Sequence, residues 1–140
     1  DNAVLLQKYI KGREVTCTVL ENFKGEKYFA LPPIEIIPPK DHDFFDYKVK
    51  YDGSTQEICP ADFYDGMMKE IRVTAIKAHK ALHLRHYSRV DMILDGTKLY
   101  VLEANTLPGL TKESLTPKSA NAIGLKFPDF LDHIIRLAII

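Results

Sequence analysis

Two apolar runs, residues 86–94 and 99–105, flank the stretch Asp95-Gly96-Thr97-Lys98. Asp-Gly between β-type runs is a strong short-range hairpin signal, because glycine accepts the positive φ that a tight turn demands. The chain is thereby committed to a sheet with at least one antiparallel pair. Residues 14–21 add a further strand, since Val15, Cys17 and Val19 alternate with Thr16 and Thr18. Residues 4–10 also read as a strand, with Gly12 as a turn signal. Past a turn at Lys24-Gly25-Glu26, residues 28–31 and 34–37 have strand character. Pro32 and Pro33 interrupt them, which predicts an edge or bulged strand, because proline cannot donate to a ladder.

Residues 38–53 form a long stretch rich in charge and aromatics, and loops of this length in compact domains are often functional lids. A short strand near residues 56–59 follows. Asp62 or Asp65 is placed to cap a helix running to about Leu82, with Met68, Ile71, Ala75, Ala78 and Leu82 on one apolar face. Residues 107–115 read as a loop. Thr116-Pro117 suggests an N-cap and first helical residue, and Gly124 closes that helix. Pro128 opens a last helix, with Phe130, Leu131, Ile134, Ile135 and Ala138 on one face. Strands, a helix, a hairpin and further helices, in that order, predict an α+β fold with a largely antiparallel sheet and flanking helices.

Charge narrows the function. Lys+Arg and Asp+Glu both total 19, whereas a sequence-independent nucleic-acid binder carries a basic excess. No apolar run reaches the roughly 20 residues that span a bilayer. Cys17 and Cys59 lie outside any CxxC pair and read as free thiols, which suits a reducing cytoplasm. The five histidines lack metal-binding spacing and read as structural or solvent-exposed. The chain starts at Asp1 rather than Met, so it is expected to begin within a longer protein.

The hairpin carries the chemistry. Arg89-Val90-Asp91 on one strand and Glu103-Ala104-Asn105 on the next interrupt otherwise apolar runs. Side chains alternate faces, so Arg89 and Asp91 share one, as do Glu103 and Asn105. Two registers are open. A three-residue loop, Gly96-Thr97-Lys98, sets Asp91 opposite Glu103 and Arg89 opposite Asn105, with all four side chains pointing the same way. A two-residue loop, Gly96-Thr97, sets Asp91 opposite Leu102 and separates the carboxylates. Two carboxylates and an amide oxygen are hard ligands of the kind magnesium takes. An adjacent arginine suits a phosphate or an oxyanion. A solvated face with a cross-strand ion pair fits the same spacing.

The string RVDMILDGTKLYVLEANTLPGLTKESLTPKSA closely resembles the C-terminal signature of D-alanine–D-alanine ligases. QKYIKGREVT and FFDYKVKYDG…ICPA resemble the same family in the same order, so the likeness covers nearly the whole chain. It implies the C-terminal lobe of an ATP-grasp fold. It assigns Asp91, Glu103 and Asn105 to two magnesium ions, or manganese, that bridge the ATP phosphates. Arg89 and the backbone N–H of Gly109 take the place of the oxyanion stabilisers, and Ser114 and Leu115 that of the contacts to the second D-alanine. Residues 7–10 resemble the adenine hinge, with the Lys8 carbonyl and Ile10 N–H facing the base and Glu14 on the ribose. Gln7 departs from the pattern, standing where the family usually has Glu. Lys50 corresponds to a phosphate contact in the mobile loop. Tyr51 matches the dipeptide-forming branch rather than the D-alanine–D-lactate ligases, which tend to carry His there.

The implied activity is ATP- and magnesium-dependent joining of two D-alanines for peptidoglycan precursors, in the cytoplasm, without nucleic acid or membrane. The N-terminal substrate domain and the central ATP-grasp lobe have no counterpart in residues 1–140, so the chain alone is expected to be inactive. Three other readings are another ATP-grasp ligase, a non-catalytic nucleotide-binding module favoured only by Gln7, and an interaction domain whose hairpin charges are mere surface.

Overall fold

A computed structural model describes residues 3–39 and 55–139 of the chain. The fold is α+β, as expected. Six strands are present among the described residues: β1 (Arg13–Phe23), β2 (Glu26–Ala30), β3 (Ile34–Ile37), β4 (Gln56–Ile58), β5 (Tyr87–Asp95) and β6 (Lys98–Asn105). Three helices accompany them: α1 (Asp65–Ala81), α2 (Leu115–Ala122) and α3 (Phe127–Ile139). The sheet order is β4-β3-β1-β5-β6, with β2 also on β1, and every pairing is antiparallel.

Strand β1 is the spine. Its residues 15–20 are buried on both faces. Val15, Cys17 and Val19 pack with Val90, Met92 and Leu94 of β5 under Met67, Ile71 and Ala75 of α1. On the opposite face, Leu20 joins Leu31, Ala120, Phe130 and Ile134 in a second core beneath α2 and α3. The helices therefore cover one face under α1 and one end of the other under α2 and α3. The remainder of that second face, over the middle of β1, β5 and β6, carries the polar residues.

Several expectations are corrected. Residues 4–10 form no strand, and Val4, Leu5, Leu6 and Tyr9 stand 72–94% exposed. Strand-like composition needs a ladder partner, and both sides of the neighbouring β1 are already taken by β2, β3 and β5. The interruption at Pro32-Pro33 is borne out: β2 and β3 pair along the same side of β1 with a one-residue register shift between them, β2 lies at an edge, and only β3 is covered, by β4. Helix α1 starts after Tyr64 with no side-chain cap, so Asp65 lies inside its first turn. Its buried stripe is Met67, Ile71, Ala75 and His79: Ile71 and Ala75 lie on the expected face, Met67 and His79 take the places expected of Met68 and Ala78, and Leu82 is exposed. Helix α2 begins after Ser114, which places Thr116 within the first turn rather than at the cap. In α3 the buried residues are Phe130, Ile134 and Leu137, while Ile135 is exposed. Gly124 does close α2: at φ +82° it sits in a Schellman turn, where Leu125 N–H reaches the Ala120 carbonyl and Gly124 N–H the Asn121 carbonyl.

His79 is fully buried at the C-terminal end of α1. Its Nδ1 lies 2.8 Å from Ser88 Oγ. Its Nε2 has no hydrogen-bond partner among the described residues and lies 3.7 Å from Glu21 Oε1. Burial lowers its pKa, and the Glu21 charge offsets only part of that. A histidine held neutral in the fold stabilises it fully above the ordinary value of 6.5. That contribution is lost as pH falls below 6.5 through the lowered folded value. Denaturant titrations should accordingly show stability declining below pH 6.5, with a shallower decline in His79→Gln.

Candidate functional site

The hairpin resolves its register in a way neither expected loop allows. The turn is the two-residue one, with Asp95 opposite Lys98 and Met92 opposite Val101. The register then shifts between Met92 and Asp91, so that Asp91 faces Glu103 and Arg89 faces Asn105. One extra residue on β6, Leu102, makes a β-bulge. Strict alternation would put Glu103 and Asn105 on the same side as Leu99, which packs under α1. The extra residue switches the phase, so Ala104 packs under α1 instead. Glu103 and Asn105 join Arg89 and Asp91 on the polar face.

Strand β1 extends this face, because Thr16 is the partner of Asp91 and Thr18 that of Arg89. Arg89 grips Asp91 through two parallel hydrogen bonds, Nε to Oδ1 at 2.9 Å and a terminal nitrogen to Oδ2 at 2.8 Å. Both side chains are mostly buried, at 13% and 22% exposed. Thr16 donates to Asp91 Oδ1 at 2.6 Å. Burial alone would lower the Arg89 pKa. Hydrogen bonds and charge from Asp91, with Glu103 and Glu57 nearby, overcome that and raise it. Glu14 has its pKa raised, first by burial and then by the Asp91 charge. Glu14, Asp91 and Glu103 thus lie in the region of the Arg89 guanidinium, while Glu57, also near it, is paired with Lys118.

Asn105 starts the following loop, its Oδ1 accepting from Leu107 N–H at 3.1 Å. The loop then folds back on α2. A Cβ at Gly109 would lie 2.8 Å from Ser114 Oγ, so the expected oxyanion and substrate contacts are neighbours, and a side chain at 109 would displace the Ser114 hydroxyl. Ser114 is the residue preceding α2, and its hydroxyl does not cap the helix. It accepts instead from Thr111 N–H at 3.1 Å and meets Thr111 Oγ1 at 2.9 Å. Leu115 is the first helical residue and half-buried. Thr116 meets Thr18 Oγ1 at 2.9 Å, tying α2 to the sheet beside the polar face.

The predicted adenine segment is not gathered in. Gln7 and Lys8 are exposed and Ile10 only half-buried. The chain reaches the site at Gly12, where a Cβ would strike the Leu94 carbonyl and the Ile93 side chain, and at Glu14, which pairs with Ile93. Lys50 and Tyr51, with residues 40–53 of the expected lid, lie outside the described residues. Thr16 escaped the sequence reading. Its place across from Asp91 follows from the alternation of β1 once the β1–β5 pairing is known, and no local signal marks it.

The donor set suits magnesium chemically, with two carboxylates and an amide oxygen on one face. Among the described residues no group of three or more His, Cys, Asp or Glu could hold a metal alone.

An antiparallel sheet with a helix on one face and a carboxylate-bearing hairpin on the other is the C-terminal lobe of an ATP-grasp fold. The sequence profile of the family described as "D-ala D-ala ligase C-terminus" matches residues 1–136. The D-alanine–D-alanine ligase of Desulfotalea psychrophila is 47% identical over 140 residues, spanning 98% of this chain and 42% of that protein. The enzyme of that name from Syntrophobacter fumaroxidans is 45% identical, spanning 99% and 44%. Among solved structures, the Bacillus anthracis D-alanine–D-alanine ligase complexed with ATP superposes with a TM-score of 0.75 at 34% identity, spanning 95% of this chain and 40% of that one. VanG D-Ala:D-Ser ligase from Enterococcus faecalis gives 0.77 at 34%, spanning 93% and 37%. The chain belongs to the D-alanine–D-alanine ligase C-terminal family, and it spans less than half the length of these relatives.

A carboxyl group whose pKa is raised in the fold costs stability once pH climbs above its ordinary value, 4.5 for Glu14. Glu14→Gln should therefore raise the melting temperature at pH 7. The gain should shrink as pH falls through the raised value toward 4.5, which calorimetry across that range would check.

Proposed function

We propose that the chain is the C-terminal part of an ATP- and magnesium-dependent ligase that joins two D-alanines through an acyl phosphate. A substrate domain and a central ATP-grasp lobe would precede it. The observation that supports this most is the bulge at Leu102, which turns Glu103 and Asn105 toward Asp91 and Arg89. A surface charge pair needs no such register change.

In this reading Asp91, Glu103 and Asn105 hold the divalent cations. When bound, those ions offset the charge of the ATP phosphates and orient the terminal phosphoryl group. Arg89 and the Gly109 N–H face the negative charge that develops when the amine of the second D-alanine attacks the acyl carbon; inorganic phosphate then leaves and the dipeptide remains. One such donor is worth about 3 kcal/mol. Ser114 and Leu115 contact the carboxylate of the second D-alanine, at the point where the loop turns into α2. Glu14 accepts from the ribose hydroxyls, while Gln7, Lys8 and Ile10 read the adenine edge. Gln7 can still accept from the adenine amino group, without adding charge. By family resemblance, Lys50 is assigned to phosphate, and Tyr51 to the branch that takes an amine rather than a hydroxy acid as second substrate. D-alanine is the preferred second substrate because the curated relatives carry that name, and substrate profiling separates it from D-serine and D-lactate. Among the described residues no helix is long and apolar enough to cross a membrane, and the nucleotide-dependent role places the protein in the cytoplasm, as part of cell-wall precursor synthesis.

Asp91→Asn or Glu103→Gln, made in the protein at full family length, should lower dipeptide formation at least about 100-fold. The melting temperature should shift by only a few degrees. Unchanged turnover in either variant rules out the cation role. The 140-residue chain alone, given ATP, magnesium and D-alanine, should release no phosphate above background in a coupled assay.

A further inference from the structure

A carboxylate that binds a cation works only if something fixes its orientation, and that outer partner commonly matters nearly as much as the ligand. Asp91 has two partners in this structure, and they differ in kind. Arg89 spans both carboxylate oxygens, Nε on Oδ1 and a terminal nitrogen on Oδ2. Thr16 touches Oδ1 alone, at 2.6 Å. The Thr16 hydroxyl has one proton to give, and its other neighbour, the Val90 carbonyl, is farther away at 3.3 Å. The proton therefore belongs to Asp91. Thr16 is 2% exposed, so water does not compete for it. Its backbone is fixed by the β1–β5 ladder, in which it is the direct partner of Asp91.

Among the described residues Oδ1 thus receives two donors and Oδ2 one. Of the two oxygens, Oδ2 keeps the more accepting capacity, and its donor among those residues is a side chain that the proposed chemistry also calls on. We propose that Thr16 is a positioning residue of this site: its hydroxyl pins Oδ1 of Asp91, so that Oδ2 is the oxygen offered to a divalent cation. The inference rests on the cation role of Asp91. When Arg89 turns toward substrate, Thr16 is the donor that stays. Without it the carboxylate rotates about its last bond and both oxygens compete for the ion. The rival account is that Thr16 merely satisfies its own buried hydroxyl. That account predicts a change in folding stability and none in cation affinity.

The test uses Mn2+ as the probe, with ATP present and the protein at full family length. Free Mn2+ is counted by electron paramagnetic resonance, and turnover is followed against Mg2+ concentration. Thr16→Val keeps a β-branched side chain in the strand and removes only the hydroxyl function. It should weaken Mn2+ binding about 10- to 100-fold and raise the Mg2+ concentration for half-maximal rate by a similar factor. Thr16→Ser, which restores the hydroxyl, should return both to within about threefold of wild type. Wild-type Mn2+ affinity in folded Thr16→Val overturns the proposal. So does a Thr16→Ser variant as impaired as Thr16→Val. If Thr16→Val does not fold, Thr16→Ala carries the same prediction and the same reversal. A wild-type protein that binds no Mn2+ in the presence of ATP overturns the cation reading itself, and this result is distinct from one in which wild type binds and the variant binds equally.

Discussion

The site depends on a single register change. A two-residue turn satisfies the Asp-Gly geometry and the packing of Leu94 and Leu99, yet continued without interruption it would point Glu103 and Asn105 toward the α1 side. Leu102 is the inserted residue that reverses this. The bulge leaves that leucine 54% exposed, an unfavourable place for it, and in exchange gathers two carboxylates, an amide and a guanidinium on one surface. Bulges of this sort re-aim side chains and cluster near functional sites.

Everything around the hairpin keeps that surface in place. Strand β1 is buried on both faces and bonded along both edges, so Thr16 and Thr18 sit at fixed heights against Asp91 and Arg89. Helix α1 covers the far side. Helices α2 and α3 form the second core at one end, and Thr116 and Ser119 anchor α2 through Thr18 and the Pro32 carbonyl. The loop from Asn105 to Ser114 spans the gap between hairpin and α2. That loop brings Gly109 and Ser114 together, although the sequence separates them by several residues.

Signals with a local cause were legible in the amino-acid string. The Asp-Gly turn, the Gly124 stop and the strand along residues 14–21 depend on backbone sterics or β-type composition, and the structure bears them out. Features decided by partners were not. Residues 4–10 have strand composition but no free edge to join. Thr116 resembles an N-cap, yet the helix begins one residue earlier, after Ser114, and the Thr116 hydroxyl meets Thr18 instead. The middle of the α1 stripe, Ile71 and Ala75, was legible, but His79, polar by type, was not read as part of it although it is buried against Ser88. The face shared by Asp91 and Glu103 was visible only as one of two registers, because a bulge has no reliable composition of its own. The expected roles of the site residues came from resemblance, whereas Thr16 became visible only through coordinates.

The paired Arg89 and Asp91 have a consequence for how such a lobe comes into being. A cluster of acidic side chains assembled without any counter-charge would repel itself during folding. Here a guanidinium built into the chain grips one of those carboxylates through both oxygens, so part of that repulsion is offset by the polypeptide's own sequence.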